Sequence, residues 1–201
     1  MQMEKIKISL KEFENRIQRL KKKMEEQEMD ALFVYGDEYR KENLRYMSNY
    51  WPIFERGGLL VGKNTDPIVL CAPEGEEVAK EMSVWPDIRL LPDFLCVTVP
   101  DEIEYPLAHY SSFQKLAREI REKGELKKLG IVGKDAMSVD LYHSIETAFE
   151  AEIVNCNDFL YELRKEKSPD EVACLKEAAR IADIGFKAMM QSDLIGMTEL
   201  E

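Results

Sequence analysis

The chain has 201 residues, enough for one generous domain or one domain and a fragment of another. Its 45% hydrophobic content is ordinary for a globular protein, and no apolar run approaches the ~20 residues that a membrane span requires. A net charge of −11, from 39 acidic against 28 basic side chains, disfavours nonspecific binding to nucleic acid, which needs a positive field.

In chain order, a charged N-terminus (Glu4, Lys5, Lys7) lacks the apolar core of a signal peptide, so a cytoplasmic location is the expectation. Ser9 with Glu12 forms a capping box ahead of Phe13, Ile17, Leu20 and Met24, which predicts a helix to about Glu28. Ala31 to Tyr35, ended by Gly36, reads as a buried strand. Gly58 to Val61 and Ile68 to Cys71 flank a turn-rich link and predict a β-hairpin. Glu74 to Ser83 reads as a short acidic helix, and Ile88 to Leu91 as a strand. From Asp93 to Ser111 the pattern weakens around Pro100 and Pro106, as expected of a loop or edge strand. Phe113, Leu116, Ala117 and Ile120 mark a helix, Leu129 to Val132 a strand, Val139, Tyr142, Ile145 and Phe149 another helix, and Ile153-Val154 a strand. This alternation predicts an α/β fold with a mixed sheet flanked by helices on both faces.

The end of the chain carries the strongest helix signal. Ser168 as N-cap, Pro169 at the first helical position and Glu171 three residues after the cap precede Val172, Leu175, Ala179, Ala182, Phe186 and Met189 at spacings of three and four. An isolated helix cannot bury such a face, so it is expected to dock on something. The charged Leu163 to Lys167 stretch reads as a connection. Residues 1–163 are therefore expected to form one domain, and 164–201 a linker and the first helix of another.

Recognisable chemistry is sparse. His109 and His143 are the two histidines, and no His-Glu-x-x-His, Gly-x-Ser-x-Gly or Walker-type glycine loop is present. Cys71, Cys96, Cys156 and Cys174 are widely spaced without a Cys-x-x-Cys pair, which reads as buried thiols rather than a zinc site. The paired acids Glu25-Glu26, Glu76-Glu77 and Asp101-Glu102 read as solvated surface. One stretch is unusual: Asn43 to Gly58 packs Tyr50, Trp51, Phe54, a proline and two arginines into a loop-like segment before a strand. Two readings stand. The aromatics cover an edge of the sheet, or the segment is a recognition loop in which Arg56 clamps a carboxylate while Phe54 or Trp51 supplies an apolar or cation–π wall.

The run of an N-terminal helix into "MDALFVYG", then "NLRYMSNYW", the "GGLLVG…PIVL" hairpin and "LRKEKSPDEVACLKEAARIADIGFKAMM" resembles the creatinase and prolidase (aminopeptidase P) family. The Leu163 to Met190 junction is its most specific part, and "GMTELE" (196–201) matches the connection that follows it. The resemblance implies an N-terminal α/β domain preceding a "pita-bread" metallohydrolase domain. It implies that the dinuclear metal (Mn, Co or Zn), held by two Asp, one His and two Glu, belongs to that second domain, so this chain holds no cofactor or metal of its own and no catalytic residue. It further implies a homodimer in which this domain reaches the partner's active site. Phe54-Glu55-Arg56 matches a Phe-x-Arg that touches the substrate's carboxylate end in creatinase, and Trp51 matches a tryptophan placed near the site in aminopeptidase P-like members. Expected partners are a second copy, the chain's own catalytic domain and a small peptide or small-molecule substrate, with no nucleic acid and no membrane. The alternative is the N-terminal domain of a non-catalytic relative that binds peptides or histones.

Overall fold

In a computed structural model, residues 6–95, 108–191 and 195–198 are described. They fall into two compact units, Phe13–Lys165 and a second made of Met1–Glu12 with Glu166–Glu201.

The larger unit is a six-stranded mixed sheet. β1 (Ala31–Gly36), β2 (Gly57–Gly62), β3 (Ile68–Cys71), β4 (Ile88–Leu90), β5 (Lys128–Val132) and β6 (Glu152–Asn155) lie in the order β4-β3-β2-β1-β5-β6. The β1–β2 and β2–β3 pairs are antiparallel, and β1–β5, β3–β4 and β5–β6 are parallel. Alternation along β1 divides the core in two. Leu32 and Val34 join a cluster with Ile17, Leu20 and Met24 of α1 (Leu10–Glu26), Leu44 and Met47 of α2 (Glu42–Ser48), Ala79 of α3 (Glu76–Met82), and Leu160 and Leu163 of α6 (Asn157–Lys165). Ala31, Phe33 and Tyr35 face the opposite cluster, built on Phe113, Leu116 and Ile120 of α4 (Phe113–Lys123) and Leu141, Ile145 and Phe149 of α5 (Val139–Phe149). The fold is thus the expected α/β arrangement, with helices on both faces of a mixed sheet. Gly130 shows how tightly the layers meet: a β-carbon there would lie 2.7 Å from Cys156 Sγ, just ahead of α6.

Two helices differ from the sequence expectation. Residues 42–48, of which 43–48 fall in the segment expected to be loop-like, form α2, which begins at Lys41 without a side-chain cap and buries Leu44, Tyr46, Met47 and Ser48. The charged connection at 163–165 is the end of α6, whose Arg164 and Lys165 occupy its last turn while Leu160 and Leu163 are buried. The face of α5 is also rotated: Val139 is 69% exposed, and Leu141, Ile145, Ala148 and Phe149 face the core. Of the cysteines, Cys71 and Cys156 are buried and Cys174 is only partly so. Cys96, Asp101-Glu102 and the 96–107 part of the expected loop lie outside the described residues.

In the smaller unit, α7 (Pro169–Gln191) opens on a complete capping box. Glu171 N–H donates to Ser168 Oγ at 3.3 Å, and Ser168 N–H donates to Glu171 Oε2 at 2.9 Å. Asp170 also accepts from the N–H and the hydroxyl of Ser9, at 2.9 and 2.6 Å. No residue of α7 is buried, and Leu175, Ile181, Ile184, Phe186 and Met190 are each more than half exposed.

Candidate functional site

The segment between α2 and β2 is built from both ends. Asn49 stops α2 with a left-handed backbone (φ 62°), which asparagine tolerates better than most residues, and its amide Nδ2 donates to Met82 O at 2.8 Å. Ser48, fully buried, donates its hydroxyl to Leu44 O at 2.7 Å and accepts from Tyr50 N–H at 3.2 Å. Tyr50 therefore points inward. It is fully buried, and its hydroxyl donates to Glu55 Oε1 at 3.3 Å. Burial, followed by the neighbouring Cys71 and Glu55, pushes its pKa well above the usual phenol range.

Glu55 is the least expected residue of the segment. Only 2% of its surface is exposed. Its Oε2 accepts from Ile53 N–H at 3.1 Å and Phe54 N–H at 3.0 Å, so two successive amides converge on one oxygen. Such charge-assisted bonds are stronger than neutral ones. The chain between the anchors then projects Ile53 and Phe54 outward, 52% and 50% exposed.

The three residues singled out from sequence occupy different settings. Phe54 sits at the exposed tip. Trp51 is half-buried, with the Arg45 guanidinium 4.2 Å from its ring centre, a cation–π pairing. Arg56 is half-buried at the start of β2, where its N–H donates to Phe94 O at 3.3 Å and its Nη1 reaches Asp93 O at 3.5 Å. It also neighbours the Tyr35 hydroxyl, which is pushed up to about 12, first by burial and then by Asp37, with Arg56 acting in the opposite sense. The structure thus gathers Trp51, Phe54 and Arg56 on one short segment but gives Trp51 and Arg56 protein partners. Tyr50 belongs to the core rather than to a surface loop.

Among the described residues, no group of three or more His, Cys, Asp or Glu is arranged to hold a metal ion, and no helix is long and apolar enough to cross a membrane. His109 is exposed, and His143 lies on α5 with Nδ1 3.2 Å from Glu146 Oε2.

Comparisons with known proteins agree with this architecture. A Bacillus subtilis (strain 168) protein named "Putative dipeptidase YkvY" is 24% identical over 190 residues, covering 93% of this chain and 47% of that protein. The chain therefore spans about half the length of this curated relative. The solved Xaa-Pro dipeptidase from Bacillus anthracis superposes with a TM-score of 0.61 at 23% identity, over 89% of this chain and 43% of that one. The aminopeptidase P (Xaa-Pro aminopeptidase) from Streptococcus thermophilus gives 0.53 at 18%, over 76% of this chain and 98% of that one. These likenesses show the fold. A family model for the creatinase/prolidase N-terminal domain matches residues 16–165, and the chain belongs to that family.

Proposed function

We propose that this chain is the non-catalytic N-terminal domain of a cytoplasmic, metal-dependent Xaa-Pro dipeptidase, aminopeptidase P or creatinase-type hydrolase. Its role there is to support dimerisation and to shape substrate access to the partner subunit's active site. The observation that carries this reading is the match itself: an N-terminal family domain over residues 16–165, in a chain that spans 47% of its dipeptidase-named relative. Residues 1–163 then form the auxiliary domain, and 164–201 lead into the catalytic half. The exposed apolar face of α7 fits a helix that the catalytic half covers. A dinuclear centre of Mn, Co or Zn in that half would activate water and polarise the scissile group. Phe54, Trp51 and Arg56 would meet the substrate from the neighbouring subunit, Arg56 by pairing with a carboxylate.

The test compares the 201-residue chain with the protein encoded by its uninterrupted reading frame. With Mn²⁺, Co²⁺ or Zn²⁺ supplied, the complete protein should hydrolyse Xaa-Pro dipeptides or creatine, and the 201-residue chain should hydrolyse neither. Chelator-sensitive turnover carried by the 201 residues alone would overturn the reading. A complete protein without the dinuclear ligand set, inactive but retaining peptides or histones, would establish the non-catalytic relative instead.

A further inference from the structure

We propose that Glu55 is a positioning residue, a buried acceptor that presets Ile53 and Phe54 as a fixed apolar tip. The geometry is that of a built anchor. Two consecutive amides end on Oε2 within 3.1 Å, and Tyr50, itself immobilised in the core, ends on Oε1. Between those contacts the chain has little freedom, so the two apolar side chains are held out rather than loosely attached. A preset tip loses less conformational entropy when it meets a ligand than a flexible one does.

A second observation, from elsewhere in the sequence, shows that room for this carboxylate is part of the fold. Gly75 caps α3 with φ −94° and ψ 0°, a backbone open to residues other than glycine. Glycine is needed there for a different reason: a β-carbon would fall 2.3 Å from Glu55 Oε1 and 3.0 Å from its Cδ. The turn at Pro73–Gly75 and the tip at 53–54 are therefore coupled through one side chain.

The role is to place an acceptor where the two amides converge, and the charge adds to its strength. Glu74 and Glu76 lie in the same neighbourhood, where with Glu55 they raise the pKa of Cys71. Glutamine can take the place of Glu55 in part, its carbonyl oxygen accepting from the two amides and its NH₂ donating to the Tyr50 oxygen, which leaves the Tyr50 hydroxyl hydrogen without the acceptor that Glu55 gives it. The value of the tip for substrate access rests on the function proposed above, whereas the anchor itself does not.

The experiment is residue-resolved amide hydrogen exchange on the 201-residue chain. Glu55→Ala should speed exchange at Ile53 and Phe54 by about tenfold or more, as loss of two charge-assisted bonds implies, while β1 and β5 remain protected. Glu55→Gln keeps an acceptor for both amides but gives up the charge assistance, so its exchange should lie between that of the wild type and that of Glu55→Ala. Glu55→Ala also strands the buried Tyr50 hydroxyl. Should it not fold, Gly75→Ala, which displaces the carboxylate from the other side, must loosen the same two amides. Unchanged exchange in Glu55→Ala, or in Gly75→Ala, would overturn the anchor, as would a Glu55→Gln chain as loose as Glu55→Ala. In the complete protein, Glu55→Ala should raise KM in parallel with Phe54→Ala, and Glu55→Gln should restore it in part. A loosened tip with KM unchanged in both variants would leave the anchor standing and remove the substrate-access reading.

Discussion

Cys71 should make the chain lose stability in alkali, and the size of the effect follows from its surroundings. The thiol is fully buried at the end of β3 and is pushed up to about 12 from 9.0. Burial is the largest cause, the carboxylates of Glu76, Glu55 and Glu74 add to it, and Lys80 opposes them. Above pH 9 the unfolded chain releases this proton while the folded chain keeps it. The unfolded state then binds fewer protons, so stability falls as pH rises. The full contribution is present below pH 9 and is lost as pH approaches 12. Each pH unit is worth about 1.36 kcal/mol, so the cysteine alone removes roughly 1.4 kcal/mol by pH 10 and roughly 4 kcal/mol by pH 12. Cys156, raised by burial to about 11, and the raised phenols of Tyr35 and Tyr50 act in the same direction. Cys71→Ala isolates the first share. It opens a small cavity costing about 1–2 kcal/mol at pH 7, but it removes one of the pH-dependent losses. Urea unfolding under reductant between pH 7 and 10 measures both. With a slope near 2 kcal/mol/M, the wild-type midpoint should fall by about 0.7 M more than that of the variant. Parallel losses in the two proteins, or rapid reaction of the native Cys71 thiol with a disulfide reagent at pH 9, would refute the reasoning.

Other expectations are equally direct. Arg56→Ala should cost the isolated chain only about 1 kcal/mol in urea unfolding, because its side chain is half-buried and its reach to Asp93 O is long; in the complete protein it should raise KM clearly. Arg16 is different: it is 2% exposed, lies 4.0 Å from the Tyr46 ring centre and donates to Tyr46 O at 2.7 Å. Arg16→Ala should cost about 3 kcal/mol in the same assay, and a cost under about 1 kcal/mol would show the stacked guanidinium to be dispensable. In hydrogen exchange on the 201-residue chain, α7 should be less protected than Leu129–Val132, since none of its residues is buried. Equal protection in a strictly monomeric sample would contradict this.

What the sequence made legible was what neighbouring residues determine. Ser9 with Glu12, and Ser168 with Glu171, announce helix starts because cap and partner lie three residues apart; the structure completes the second box, whereas at the first Glu12 N–H donates to Ser9 Oγ and the Ser9 N–H goes to Asp170. The strands show themselves through short apolar runs between turn residues, since both faces of the sheet are covered. α2 lacks such a signal. Lys41 supplies no side-chain cap, the helix has only seven residues, and its aromatic neighbours suggest a loop. α6 is hidden by its own charge: one polar face carries Glu162 and Lys165, and burial rests on Leu160 and Leu163. In α5, both Val139 and Leu141 begin an acceptable apolar spacing, and only packing selects the second.

The candidate site was legible as a composition and not as an arrangement. Tyr50, Trp51, Phe54 and Arg56 stand out because aromatics and arginines are dense there, yet density does not say which side chain turns inward. That choice is made at a distance. Ser48 and Asn49 set the direction of the chain, Glu55 draws it back, and Gly75, twenty residues later, leaves the space that permits this. A glutamate between phenylalanine and arginine reads as surface by its chemistry, because a carboxylate is buried only where donors await it. Here the donors are the amides of the segment itself, so burial of Glu55 and exposure of Phe54 are one structural event. A change that frees the carboxylate should therefore release the tip as well, which makes Glu55 and Gly75 as consequential for the site as the residues that face outward.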